Sequence, residues 1–220
     1  MSESLSRRQT MATILGLAAS GTAGASGTGT MPKPAAGASS AAPSAASTRP
    51  NSPGPMVALG GSVRFDNPVV WKRLVELAGG PGSRFAVMSM AAGRPERAAT
   101  LAQQALQRAG ARTDWVAVAP ALKDQDLAAA VRDPKWLQMV AASQAVFFTG
   151  GAQARIVDTL QPGGQESPLL QAVRALQARG GLVAGTSAGA AIMSQTMFRD
   201  APFVTSVLKG VLLKGVEYAP

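Results

Sequence analysis

From Pro55 onward, short apolar runs alternate with longer stretches in which apolar residues recur every three or four positions, the pattern of strands followed by amphipathic helices. Met56 to Leu59 predicts a first strand that ends in Gly60-Gly61. Asn67-Pro68 then supplies a cap and a first helical turn, with Val70, Leu74 and Leu77 on one face before Gly79-Gly80. Phe85 to Ser89 predicts a second strand. Arg94-Pro95-Glu96 opens a helix that runs to Ala109 and is closed by Gly110, with Leu101, Ala105 and Leu106 facing inward. Trp115 to Val118 predicts a third strand, and Asp133-Pro134 starts a helix through Trp136, Leu137 and Val140. The run Ala145-Val146-Phe147-Phe148-Thr149 is the most apolar and β-prone, which places it at the centre of a sheet. Ser167-Pro168 caps a helix carrying Leu170, Val173 and Leu176, and Gly180-Gly181 delivers the chain to a last apolar run, Leu182 to Gly185. Strands and helices in strict alternation predict an α/β fold: a three-layer α/β/α sandwich with a mostly parallel central sheet.

The segment before Pro55 has a different texture. Ser6-Arg7-Arg8-Gln9-Thr10-Met11, the apolar run Ala12 to Ala19 and the small residues Ala23-Gly24-Ala25 have the layout of a twin-arginine export signal over residues 1–25. Such a signal implies the twin-arginine export machinery as a partner and a periplasmic or extracellular destination. Its apolar run is too short to span a bilayer, so no stable membrane insertion is expected. Residues 26–54 are almost entirely Ala, Ser, Gly, Thr and Pro and read as a disordered linker. That leaves 55–220 for the folded domain.

Composition narrows the chemistry. The net charge of +9 falls to a surplus of six from Asn51 onward, with 17 basic and 11 acidic residues spread thinly. No basic run interleaves with aromatics, so a nucleic-acid platform is not supported. The sequence contains no cysteine and no histidine. Disulfides, thiolate metal sites and a cysteine nucleophile are thereby excluded, and neither a metal nor a cofactor is expected. The usual general base for a serine nucleophile is missing as well.

Against that background one stretch stands out. Leu182-Val183-Ala184-Gly185-Thr186-Ser187-Ala188-Gly189 is a strand that turns sharply into an alanine-rich helical segment, with Ser187 at the tip. The glycines on either side suit a turn too tight for Cβ atoms, and the N-terminal amides of the following helix would face a developing oxyanion. A purely structural turn is the alternative. A second strand-to-helix turn, Gly150-Gly151 before Ala152-Gln153-Ala154-Arg155-Ile156-Val157, presents further backbone amides and is expected at the same sheet edge.

Phe147-Phe148-Thr149-Gly150-Gly151-x-Gln153-x-Arg155-Ile156, together with Gly185-Thr186-Ser187-Ala188-Gly189-Ala190-x-x-Met193, resembles the cyanophycinase family of serine peptidases. Gly60-Gly61-x-x-Arg64-x-Asp66-Asn67, with Trp71 and Leu77-Ala78-Gly79-Gly80 behind it, resembles that family's first βα unit. The resemblance runs from Met56 to the C-terminus. It implies a flavodoxin-like, class I glutamine amidotransferase-like fold and a serine exopeptidase that hydrolyses cyanophycin to β-Asp-Arg dipeptides, with β-aspartyl peptides as the other candidate substrate. It also implies Ser187 as nucleophile, the amides of Gly151 and Ala188 as oxyanion hole, and Gln153 as a substrate-binding residue. At the third place of Gly150-Gly151-Ala152-Gln153 the family carries a polar residue where this chain has Ala152.

The family's histidine and its acidic partner lie downstream of the nucleophile, so the resemblance predicts that the 55–220 domain is incomplete at its C-terminus. Asp158, Glu166, Asp200 and Glu217 read as surface or helix-end charges, and Lys209 and Lys214 as solvated amines rather than bases for Ser187. Three other functions stay open: a catalytically incompetent module that binds an aspartyl or arginyl ligand, an aspartyl dipeptidase, and an esterase-like hydrolase. The last would need a histidine and an upstream His-Gly-Gly-type loop, and the sequence contains neither. A homodimer is one assembly left open.

Overall fold

The strands form because runs of β-branched and aromatic residues are short, are bounded by glycine or proline, and have somewhere to bury both of their faces. In a computed structural model, residues 52–198 and the backbone of residues 212–214 are described. Five parallel strands, β1 (Met56–Leu59), β2 (Arg84–Met88), β3 (Arg112–Val116), β4 (Ala145–Phe148) and β5 (Leu182–Thr186), make one sheet in the order β1-β5-β4-β2-β3. β4 lies at the centre, as its apolar run predicts. Two short strands, β6 (Thr196–Phe198) and β7 (Leu212–Lys214), form a separate antiparallel pair.

Period-two alternation sorts the strand side chains into two cores. Phe85, Val87, Ala145, Phe147, Leu182 and Ala184 pack with Trp71, Leu74 and Val75 of α1 (Pro68–Leu77) and with Ala99, Ala102, Ala105 and Leu106 of α2 (Pro95–Arg108). Ala86, Met88, Val146, Phe148 and Val183 point to the other face. There they meet residues of α3 (Leu127–Ala130), α4 (Pro134–Ala141), α5 (Gln153–Leu160), α6 (Pro168–Ala178) and α7 (Ala188–Ala191). The result is the expected three-layer α/β/α arrangement.

Helix starts follow their sequence signals closely. Asn67, Asp133 and Ser167 each accept a hydrogen bond from a first-turn amide, and each precedes a proline whose missing N–H costs nothing there. The third strand is displaced from its expected position, Trp115 to Val118, to Arg112–Val116. As an edge strand it pairs only with β2, from Arg84↔Arg112 to Met88↔Val116, so its outer residues are polar and its hydrophobic run understates its start. The buried face of α1 is centred on Trp71, Leu74 and Val75, whereas Val70 and Leu77 are half-buried. The Trp71 indole decides this, because it donates to the Arg64 carbonyl (3.1 Å) and its ring lies 5.3 Å from that of Phe147. Leu101 of α2, expected to face inward, is half-buried. α3 and the β6–β7 pair have no counterpart in the sequence expectations.

The described residues fall within one compact unit, Thr48–Pro220. The export signal of residues 1–25 and the linker up to Asn51 lie outside the described residues, as do Asp200, Lys209 and Glu217, and only the backbone of Lys214 is described. At the end of the expected linker, Gly54 already donates to the Gln177 carbonyl at 2.7 Å, so the ordered domain begins slightly earlier than Pro55.

Candidate active site

Strand order brings the glycine-rich turns together. β5 lies between β1 and β4, so the turns that follow these strands, Gly60-Gly61, Ser187 and Gly150-Gly151, sit side by side at the carboxyl edge of the sheet. The chain runs from β2 outward to β3 and then back past β2 to β4. The crevice between β2 and β4 is therefore the point where the winding reverses, the usual place for a ligand in an open parallel sheet.

Ser187 is exposed and has φ 53° and ψ −115°, one of three non-glycine residues with positive φ among the described residues. Such a conformation costs on the order of 1–3 kcal/mol and persists only where the surroundings enforce it. Here they do. The Ser187 amide donates to the Leu59 carbonyl (3.0 Å), the Thr186 hydroxyl donates to the Gly60 carbonyl (2.7 Å), and the Ser187 carbonyl accepts from Ala190 and Ala191 (both 2.9 Å). A Cβ on Gly185 would overlap the Gly189 carbonyl, and one on Gly189 would overlap the Phe148 carbonyl. Two backbone segments thus approach so closely that only glycine fits, as the sequence pattern suggested.

The second turn is fixed just as firmly. Gly151 has φ 146°, and a Cβ there would overlap the carbonyl of Ala91 in the loop after β2. That carbonyl accepts from the Ala152 amide (2.9 Å) and from Arg155 Nη1 (3.4 Å). A Cβ built on Gly150 would stand 3.1 Å from Ser187 Cβ, which measures how near the two turns are. The amides of Gly151 and Ala188 donate to no backbone carbonyl among the described residues. Two free donors beside one exposed hydroxyl form the arrangement an acyl-transfer site needs. One expectation changes: α7 is four residues long, so the Ala188 amide acts as a single donor rather than as the tip of a long helix with a substantial dipole.

Ser187, Gly151 and Ala188 are therefore brought together. Gln153 sits in the first turn of α5, and its side-chain amide donates to the Phe198 carbonyl of β6 at 2.7 Å. Asp158 and Glu166 lie away from this edge, in α5 and in the loop before α6, where Glu166 pairs with Arg174 (3.0 Å). No titratable side chain hydrogen-bonds to Ser187 among the described residues.

Beside the elbow opens a cleft of about 760 Å³ lined by Gly150, Thr186, Thr149 and Phe147 on the sheet side and by Phe65 and α2 residues on the other. Phe65 is held by stacking on Trp71 (5.8 Å between centroids) and by Arg108 Nη2, which donates to its carbonyl at 2.9 Å. Sequence patterning did not single out Phe65 or Arg97, gave Arg94 only as a helix start and Thr149 only as part of a strand and its motif, and placed Leu101 in the core. The cleft depends on which strands are neighbours, and no local motif encodes that.

The model of peptidase family S51 matches residues 56–207. The chain belongs to peptidase family S51. Its described S51 domain is similar to two crystal structures: a peptidase from an acI-B1 Actinobacterium and a candidate peptidase E protein from Listeria monocytogenes EGD-e. The first has a TM-score of 0.59 and 22% identity over 76% of this chain. The second has a TM-score of 0.51 and 14% identity over 74% of this chain and 74% of the other. The match spans 65% of the length of the actinobacterial peptidase. At these identities the likeness establishes a shared fold.

Proposed function

We propose that this S51 chain is a serine-type exopeptidase in which the Ser187 hydroxyl attacks the scissile carbonyl and the Gly151 and Ala188 amides receive the oxyanion. The observation that carries it is the strained Ser187 turn lying against the Gly150-Gly151 turn, with a free amide on each side. Strain at an exposed serine with glycine-only surroundings contributes nothing to packing, and it positions a nucleophile. Family membership and the resemblance of both motifs to cyanophycinase support the same reading. Cyanophycin and β-aspartyl peptides are the candidate substrates, Gln153 a candidate contact for the aspartyl end, and the periplasm or extracellular space the proposed site of action.

Proton removal from Ser187 requires a base, and the sequence has no histidine to supply one. Exogenous imidazole can serve as that base in an assay. With imidazole present, incubation with cyanophycin or a β-aspartyl dipeptide is expected to release β-Asp-Arg or free amino acids, identified by mass spectrometry. Ser187→Ala should abolish the release; product at an undiminished rate from that variant would remove the nucleophile assignment.

A further inference from the structure

The cleft beside Ser187 has a chemical character of its own. Its polar side chains are Arg94, Arg97, Thr149 and Thr186, and its apolar ones include Phe65, Leu101 and Phe147. Among the described residues, no acidic side chain lines it. Neither the Arg94 nor the Arg97 guanidinium has a hydrogen-bond or ion-pair partner among the described residues. Thr149 is 5% exposed, yet its hydroxyl is likewise without a partner. A buried unpaired hydroxyl costs about 1–3 kcal/mol, and this one lies within the cleft wall rather than on its surface. Arg94, at the N-cap of α2, makes no side-chain cap, so the first-turn amides of a 14-residue helix also open toward this wall.

The unpaired guanidinium groups and the uncapped first-turn amides call for an acceptor, and the apolar wall is too large for a carboxylate alone. We propose that, within the peptidase reading on which this inference rests, the cleft holds the C-terminal residue of a short peptide. Its free α-carboxylate lies on Arg94 and Arg97 and its apolar side chain lies against Phe65 and Leu101. An arginine side chain is disfavoured there, since two unpaired guanidinium groups repel a third and no acidic side chain among the described lining residues balances it. An aspartyl side chain supplies the carboxylate but leaves the apolar wall uncovered.

Calorimetric titration of the 220-residue chain tests this without any chemical step. The probes are N-acetyl-L-phenylalanine, its amide, N-acetyl-L-aspartic acid α-amide and N-acetyl-L-argininamide. The free phenylalanine carboxylate is expected to bind about tenfold or more tightly than its amide and the argininamide, as the loss of a charge-assisted pair implies, and more tightly than the aspartyl probe, which keeps a carboxylate but leaves the apolar wall uncovered. Arg94→Ala and Arg97→Ala should each weaken that ligand by about tenfold and leave the amide unchanged. Equal binding of acid and amide, tighter binding of the aspartyl or arginine probe, or saturation by none of the four would overturn the proposal. Because binding needs no proton transfer, a Ser187 that fails to react leaves this result readable, and failure here leaves the nucleophile assignment standing.

Discussion

The Ser187 elbow and the arginine wall of the cleft face the same space and are built in opposite ways. At the elbow, backbone meets backbone: Gly185, Gly189 and Gly151 stand where any Cβ would overlap a neighbouring carbonyl, and Ser187 is forced to positive φ. At the wall, Arg94 and Arg97 are exposed side chains without partners among the described residues. The difference separates two tasks. Attack on a carbonyl tolerates little positional error, and the residues proposed for it, Ser187 with the Gly151 and Ala188 amides, are fixed by main-chain packing that side-chain changes elsewhere hardly disturb. Recognition tolerates variation, so it rests on side chains that can change without unfolding the sheet.

The comparison breaks most sharply under substitutions at the close approaches. Gly189→Ala and Gly151→Ala each place a Cβ against a carbonyl that β4 or the Ala91 loop cannot move, and each should lose about 3 kcal/mol or more of stability in denaturant melts. A loss under half that size would mean the turns are looser than described. Ser187→Gly should move the other way. Relief of the positive-φ strain is expected to raise stability by about 1 kcal/mol while removing the hydroxyl proposed as nucleophile, so a more stable but inactive protein is the signature of strain held for function. Ser167→Ala, which removes the hydroxyl that caps α6, should cost about 1 kcal/mol and leave ligand binding untouched, a control for damage remote from the site.

Arg97→Ala belongs to the other region and should change stability by less than about 0.5 kcal/mol, its effect appearing only in ligand binding. The smallest effect is expected at Asp66. The Arg64 guanidinium hydrogen-bonds both of its oxygens and holds the carboxyl below its ordinary value, so the pair stabilises the fold above the unfolded carboxyl pKa and is lost as pH falls through the folded one. Both side chains are exposed to solvent, and Asp66→Asn should leave the melting temperature unchanged within error at neutral and at acid pH.

Much of this architecture was legible in the sequence because its signals are local. Asn67-Pro68, Asp133-Pro134 and Ser167-Pro168 mark helix starts through hydrogen bonds made within three residues, and the two glycine turns announce close approach before any partner is known. Non-local facts stayed hidden. That β1 would lie beside β5, setting the Gly60-Gly61 turn against Ser187, follows from pairing across more than 120 residues. That Leu101 would line a cleft and Trp71 would fill a core depends on where α1 and α2 end over the sheet. Edge position also blurred β3, because a strand covered on one side only carries polar residues that a hydrophobic run omits. The Gln153 side chain illustrates the same limit: its sequence position suggests a substrate contact, and its bond to the Phe198 carbonyl depends on a strand 45 residues away.

We propose Ser187 as a positioned nucleophile that added imidazole can deprotonate. This role is tested most directly by measuring hydrolysis of an aspartyl p-nitroanilide as a function of imidazole concentration, for the unmodified chain and for Ser187→Ala. A rate that rises with imidazole in the former and stays at the buffer background in the latter is the predicted result. Equal imidazole dependence in both proteins would contradict it.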